Sequence, residues 1–261
     1  MNLMFHHSIR NLSIFFKVIP LSNPFVAMSS NYSVDLSAMR QPYKEDKEAL
    51  LEKDLPSRDP IKLFEFWFQE AKQSGKIAEP NAVCVSTCTL DGYPSSRMVL
   101  LKGFGSDGFK FFTNMDSRKG QELRENPKAA MLFYWDPFNR QVRIEGNIEQ
   151  VPDEEAKNYF EKRPKRSQIA AAISEQSKPI LNRDALITKY TELEMKHAED
   201  SFIVKPENWG GFKLIPKSFE FWQGQSSRLH DRIVFTKSIP DIKDVPYTEA
   251  ENGWLMYRLQ P

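Results

Sequence analysis

Cysteine, histidine and surplus charge are what this chain of 261 residues has least of, and each shortage excludes a class of function. The two cysteines, Cys84 and Cys88, lie four apart in a strand-like run. At the rise of an extended chain they would be roughly 13 Å apart, beyond disulfide reach, so reduced thiols in an intracellular compartment are the simpler reading. The four histidines, at 6, 7, 197 and 230, lack metal-ligand spacing, and no metal site is expected. Lys plus Arg number 36 against 35 for Asp plus Glu, so the net charge of +1 makes no electrostatic case for nucleic acid. The most apolar piece, residues 12–28, is interrupted by Lys17, Pro20 and Pro24, which excludes a membrane span there. No internal repeat or low-complexity block appears.

Acidic residues are also missing before Asp35, while Arg10, Lys17 and several serines are present. That is the bias of a mitochondrial transit peptide in residues 1–34, with a disordered cytosolic tail as the alternative. The remaining composition, 40% hydrophobic and 12% aromatic, is that of a globular chain long enough for a large buried core. The expected organisation is a tail over residues 1–39 and one domain over 40–261.

The stretch Phe219 to Phe235 holds Arg228, His230 and Arg232 between two apolar runs. A strand beginning near Arg228 would put these three on one face and Leu229, Asp231 and Ile233 on the other. Two fixed positive charges with no local carboxylate beside them point to an anionic ligand. The plainer alternative is a solvated edge strand.

Upstream, Asp59-Pro60 reads as an N-cap and first helical residue. Ile61, Phe64, Trp67, Phe68 and Ala71 follow at helical spacing up to Gly75, a packing helix. From Ala82 the pattern turns to short strands over 82–89, 96–102, 109–113, 129–135 and 140–151. Gly103 to Gly108 matches the dinucleotide fingerprint as a string. The strand-like Phe109 to Thr113 follows it, however, where that fingerprint needs a helix, so the glycines are turn residues. Asp116 or Ser117 can cap a short helix from Arg118. That places Arg118 and Lys119 in its first turn, where the helix dipole disfavours cations unless an anion is also bound. A helix from Pro152 carries Tyr159 and Arg163 on one face, and Ser167 can cap the next helix, Gln168 to Ser174. A phenol, a guanidinium, a hydroxyl and a helix N-terminus so gathered suit a phosphate monoester. An ordinary capped helix with a surface Arg is the competing reading. Arg183 to His197 reads as an amphipathic helix, and the chain returns to strands from Trp209. Strands in meander order with helices inserted late predict a mainly β protein, an antiparallel Greek-key barrel with peripheral helices.

Several ordered strings then carry a resemblance: Arg97 to Lys102, Phe111 to Asn114, Ser117 to Lys119, Arg140 to Val142, Tyr159-Phe160 with Arg163-Pro164 and Ser167 to Ile169, Gln176-Ser177, and Phe221 to Gly224 through Arg228 to Asp231-Arg232. From about Arg40 to Pro261 the chain resembles pyridoxamine 5′-phosphate oxidase. The resemblance implies an FMN-binding split barrel working as a homodimer, with FMN at the subunit interface. FMN contacts would be Arg97, Met98, Val99, Leu100, Phe112, Thr113, Arg118, Lys119, Gln141, Gln176, Ser177, Trp222 and Arg232. Substrate phosphate would be held by Lys102, Tyr159, Arg163 and Ser167. Arg228 and His230 would lie beside the pyridine ring as the catalytic pair, and Arg40 and Tyr43 would close the site. The implied reaction, in vitamin B6 metabolism, oxidises pyridoxamine or pyridoxine 5′-phosphate to pyridoxal 5′-phosphate. Hydride passes from C4′ to N5 of FMN, and O2 reoxidises the flavin to give H2O2. Two rivals stand beside it, a flavin or pyridoxal-phosphate carrier without turnover and a flavin reductase on the same barrel.

Overall fold

The computed structural model describes residues 35–39, 43, 49–197, 202–238 and 246–261. The expected transit peptide over residues 1–34 and Arg40 of the N-terminal arm lie outside the described residues.

Helix α1 (Pro60–Gln73) starts as its sequence requires: Asp59 is extended at the N-cap and its Oδ1 accepts from the Ile61 backbone N–H at 2.8 Å. Leu63, Phe64, Trp67 and Ala71, which fall on one helical face, are buried in the main core. The Phe64 ring meets Phe104, Phe109 and Phe133 edge-on at 4.9, 5.1 and 5.0 Å, which fixes the helix against the strands.

Among the described residues ten antiparallel strands form one sheet. They are β1 (Ala82–Cys88), β2 (Pro94–Leu100), β3 (Gly103–Gly105), β4 (Gly108–Asn114), β5 (Lys128–Trp135), β6 (Arg140–Gln150), β7 (Trp209–Gln223), β8 (Asp231–Thr236), β9 (Thr248–Glu249) and β10 (Leu255–Arg258). The main path runs β2-β1-β5-β6-β7-β8-β10-β9. The long strand β7 organises it: β6 lies along one edge, while the other edge is divided between β4, paired with residues 209–214, and β8, paired with residues 218–223. Where the β6–β7 register slips after Glu145, a Cβ on Gly146 would stand 2.0 Å from the Ile215 carbonyl oxygen, so only glycine fits that bulge. Buried positions alternate with exposed ones along β5 and β6 and with half-buried ones along β1, whereas β7 and β8 are buried over most of their length; the core closes on Phe109, Phe111, Phe133, Trp135, Phe219, Phe221 and Phe235.

Among the described residues four further α-helices are inserted between strands: α2 (Arg118–Glu125) between β4 and β5, and α3 (Asp153–Glu161), α4 (Lys165–Ile173) and α5 (Arg183–Lys196) between β6 and β7. Helices α3 and α4 share a second core of Ala156, Phe160 and Ile169 with Ile203 and Trp209. The antiparallel barrel with peripheral helices is the architecture expected from the strand pattern.

Two local expectations change. The strand after the 219–235 loop begins at Asp231, and Arg228 has a φ of 71°, so Arg228, His230 and Arg232 do not form one strand face. Helix α5 occupies its expected span but buries no side chain fully: Tyr190 and Leu193 pack half-buried against the second core, while Leu186 and Ile187 stay exposed, so its apolar residues do not share one buried face.

Candidate active site

A cavity of about 890 Å³ opens where β2, β4, α2, α4 and the start of β7 meet. It is lined by Arg97, Met98, Val99, Leu100, Lys102, Phe112, Thr113, Arg118, Lys119, Tyr159, Arg163, Ser167, Gln176 and Ser177, which are fourteen of the residues singled out in the sequence.

One end of the cavity is built on α2. Ser117 caps the helix, accepting from the Gly120 backbone N–H at 3.3 Å. A Cβ on Gly120 would stand 2.1 Å from the Met115 carbonyl oxygen, so glycine lets the chain turn this tightly into the helix. The turn buries Lys119 to 7% exposure. Its Nζ donates to Gln176 Oε1 at 2.6 Å, Thr113 Oγ1 at 2.8 Å and Ser117 Oγ at 3.2 Å. All three partners are neutral, and burial, helped by the nearby Arg97 charge, lowers the lysine pKa to about 8. Arg97 also borders the cavity, but its guanidinium is engaged: Nη1 donates to Thr87 Oγ1 at 2.6 Å and to the Val85 carbonyl at 3.2 Å, and Nη2 to Ser95 Oγ. Ser177 lies on the loop beyond α4 with a φ of 74°, a conformation a non-glycine residue rarely holds.

The other end is aromatic and cationic. Phe112 stacks on Tyr159 at 4.3 Å and on Trp209 at 5.5 Å, while Lys102 Nζ lies 6.0 Å from the Tyr159 ring. The Arg163 guanidinium sits 5.1 Å over the Trp209 ring, and its Nη1 is buried without a hydrogen-bond partner. Burial lowers the Arg163 pKa. An orphaned guanidinium N–H beside a cavity is a site for an anion. The expected cap changes here: α4 starts at Lys165 after Pro164, so Ser167 sits in the first turn of the helix and does not cap it. The rigid φ of Pro164 suits the position before the helix.

The remaining predicted residues form a second cluster. Gln141, Trp222 and Arg232 lie side by side across β6, β7 and β8. Trp222 is 5.0 Å from His230 between ring centres, and Tyr43 meets both rings edge-on at 6.0 and 5.7 Å. Arg228 occupies the loop between Gln225 and His230, its backbone N–H donating to the Gln225 carbonyl at 3.1 Å. His230 Nδ1 accepts from the Gln225 backbone N–H at 3.0 Å, so in the neutral ring the proton sits on Nε2. Burial, and then the Arg228 charge, lower the His230 pKa. The expectation that no carboxylate offsets this cationic row fails, because Glu220, diagonal to Arg232 across the strand pair, accepts from Arg232 Nε at 2.7 Å. None of Gln141, Trp222, Arg228, His230 or Arg232 lines the 890 Å³ cavity. Trp209 at the cavity and Trp222 in the second cluster are separated by roughly 40 Å of strand at the usual rise per residue.

Two residues at the site escape the sequence reading. Trp209, read only as the start of a strand, forms the floor under Arg163; a large aromatic beside Gly210-Gly211 at a strand start was the available signal. Glu122 binds Arg118 within α2, and its signal was the four-residue spacing.

Comparison with known proteins agrees with this architecture. Residues 69–197 match the family model described as pyridoxamine 5′-phosphate oxidase, and residues 209–261 match the pyridoxine 5′-phosphate oxidase C-terminal dimerisation region. The chain is 51% identical over 236 residues to pyridoxine-5′-phosphate oxidase of Bos taurus, covering 89% of this chain and 90% of the relative. It is 43% identical to pyridoxine/pyridoxamine 5′-phosphate oxidase of Bombyx mori, covering 97% and 100%. Among solved structures, PhzG from Burkholderia lata 383, determined in complex with tetrahydrophenazine-1-carboxylic acid, superposes with a TM-score of 0.70 at 29% identity, covering 82% of this chain and 98% of the other. A pyridoxamine 5′-phosphate oxidase-related, FMN-binding protein from Nostoc punctiforme PCC 73102, at 14% identity and a TM-score of 0.58, covers 77% and 98% and shares the fold. With both family models and close relatives spanning nearly its whole length, the chain belongs to the pyridoxamine 5′-phosphate oxidase family.

Proposed function

We propose that this protein is an FMN-dependent oxidase that converts pyridoxamine 5′-phosphate or pyridoxine 5′-phosphate to pyridoxal 5′-phosphate. The observation that carries the reading is a single cavity with two separate cationic groups, Arg118 with Lys119 at one end and Lys102 with Arg163 at the other. Two phosphorylated ligands bound next to each other need that arrangement, and the buried unpaired Nη1 of Arg163 is a donor waiting for an anion. The residues present fit FMN: Arg118 and Lys119 would take its phosphate at the α2 N-terminus, with Gln176 and Ser177 beside them and the Arg97 to Leu100 strand along the ring system. When bound, FMN supplies the acceptor for hydride leaving substrate C4′, with O2 as the final oxidant and H2O2 as its product.

The chain's own residues position and polarise the substrate. Lys102, Tyr159, Arg163 and Ser167 hold its phosphate, remote from the reacting carbon, and so fix the pyridine ring's distance from the cofactor. Arg228 and His230 face the ring: His230 donates from Nε2, the nitrogen left free by the Gln225 N–H, and Arg228 stabilises charge as hydride departs. Tyr43 closes over Trp222 and His230, which helps exclude water.

In this reading the two clusters come together in a homodimer. One subunit provides the cavity and its partner brings Gln141, Trp222, Arg228, His230 and Arg232 to it, so FMN sits at the interface. The separation of the clusters along β7 supports this, as does the match of residues 209–261 to a dimerisation region. The test is a visible spectrum of purified protein before and after pyridoxine 5′-phosphate is added without air. Loss of the oxidised-flavin bands, restored by O2 with formation of H2O2, is expected. A spectrum that never shows flavin, or bands that substrate leaves unchanged, would refute the assignment.

A further inference from the structure

Glu122 is 3% exposed, yet it lies against the cationic end of the cavity. Its Oε1 accepts from Arg118 Nε at 2.8 Å. Its Oε2 accepts from the Ser95 hydroxyl at 2.6 Å and from the Thr87 hydroxyl, and stands 3.5 Å from Arg97 Nη2. Burial alone would raise the pKa of this carboxylate; the hydrogen bonds from Ser95 and Thr87, with the Arg118 pair, bring it down to about 2. It is therefore ionised throughout the physiological range.

The geometry of the Arg118 pair is specific. Nε is the inner nitrogen of the guanidinium, so tying it to Glu122 leaves the two outer nitrogens as the donors available at the cavity, and a phosphate is gripped best by such a fork. The Arg118 side chain is 53% exposed, and without an anchor its rotamer freedom would oppose ordered binding. Charge points the same way. Arg97, Arg118 and Lys119 offset by Glu122 leave a net charge of about two, close to that of a phosphate monoester near neutral pH.

We propose that Glu122 is a positioning residue for the cofactor phosphate, acting through Arg118 by pinning Nε so that the outer guanidinium nitrogens meet the phosphate. The proposal rests on reading this end of the cavity as the FMN phosphate site. It assigns Glu122 no contact with FMN itself.

The experiment measures dissociation constants of FMN and of riboflavin, which lacks the phosphate, for cofactor-free protein by flavin fluorescence. Four proteins are compared: wild type, Glu122→Gln, Arg118→Ala and the double variant. Wild type preferring FMN to riboflavin supports the phosphate site, and failure to discriminate overturns that site and the proposal together. Given discrimination, Glu122→Gln should weaken FMN by about tenfold or more, the scale of a charged hydrogen bond, and leave riboflavin unchanged. In the Arg118→Ala background the same substitution should cost FMN little further, because the group it positions is gone. Equal weakening of both flavins would mean general loosening. Tighter FMN binding would mean that Glu122 acts only as an opposing charge. A full FMN penalty persisting without Arg118 would mean that it acts elsewhere. Any of these three overturns the proposal while leaving the phosphate site standing. Should Glu122→Gln not fold, Glu122→Asp retracts the same charge by one methylene and is expected to lower the FMN-to-riboflavin preference; an unchanged preference would overturn the proposal.

Discussion

Replacing Arg163 by alanine should separate binding from folding, because the two respond to different parts of this side chain. Arg163 lies over Trp209 and Phe160, at 5.1 and 5.8 Å, and its buried Nη1 has no hydrogen-bond partner within the chain. Removing it forfeits cation–π attraction of about 0.5–2 kcal/mol but also relieves an unsatisfied buried donor costing about 1–3 kcal/mol. These nearly cancel, so the thermal midpoint of cofactor-loaded protein should move by only about 2–4 °C in either direction. Substrate binding has no such compensation. Losing one charge-assisted hydrogen bond to the phosphate costs about 1.5–3 kcal/mol, or roughly 10- to 150-fold. The phosphate is remote from C4′ and bound alike in ground and transition states, so the loss should appear mainly in KM. Some fall in kcat is expected as well, since the phosphate also sets the ring's distance from the cofactor. The assay is steady-state oxidation of pyridoxine and its 5′-phosphate by wild type, with Arg163→Ala tested on the phosphate. Comparable kcat/KM for the two substrates in wild type would refute the phosphate site, and an unchanged KM in the variant would remove Arg163 from it.

Arg228→Ala should fold and keep FMN but lose roughly one to two decades of kcat/KM, the scale of a charged hydrogen bond in the transition state; near-normal kcat/KM with intact flavin would exclude Arg228 from catalysis. Lys119 should make FMN binding pH-dependent. With its pKa lowered to about 8 in the free protein, phosphate binding favours the protonated form, so affinity should fall as pH rises above that value, by up to about tenfold per unit. Over the same window, between about 8 and the ordinary 10.5, the cofactor-free protein regains the stability that burying the charged lysine costs it. Titration calorimetry showing no proton uptake with FMN near pH 9 would contradict this. FMN at about 100 times its dissociation constant should add roughly 2.7 kcal/mol of stability to a dimer; a midpoint insensitive to FMN, or a monomer at micromolar concentration, would count against an interfacial cofactor.

Local rules written in the chain determined much of this protein. Asp59-Pro60 and Ser117 start their helices because capping chemistry depends on neighbours within three residues. Strand positions followed from runs rich in Val, Leu and Phe bounded by turn residues, and Gly103 to Gly108 belong to a hairpin as the following strand required, although Gly103 and Gly105 lie in β3 itself and not in the turn. Most cavity residues were legible for another reason: their order along the chain matches a family, whatever the distances between them.

What the sequence could not decide involved partners far apart in the chain. Arg232 looked unneutralised because Glu220 is twelve residues away and meets it only when β7 and β8 pair. Arg228 looked like a strand residue because alternation is blind to a φ of 71°, which the loop between β7 and β8 imposes. Trp209 became the floor under Arg163 only when the start of β7 packed against α3. Tertiary structure also divided one list of site residues into two clusters, at the two ends of β7. Spacing in a sequence sets which face a side chain takes, but a strand of 15 residues is long enough to carry its two ends to different sites.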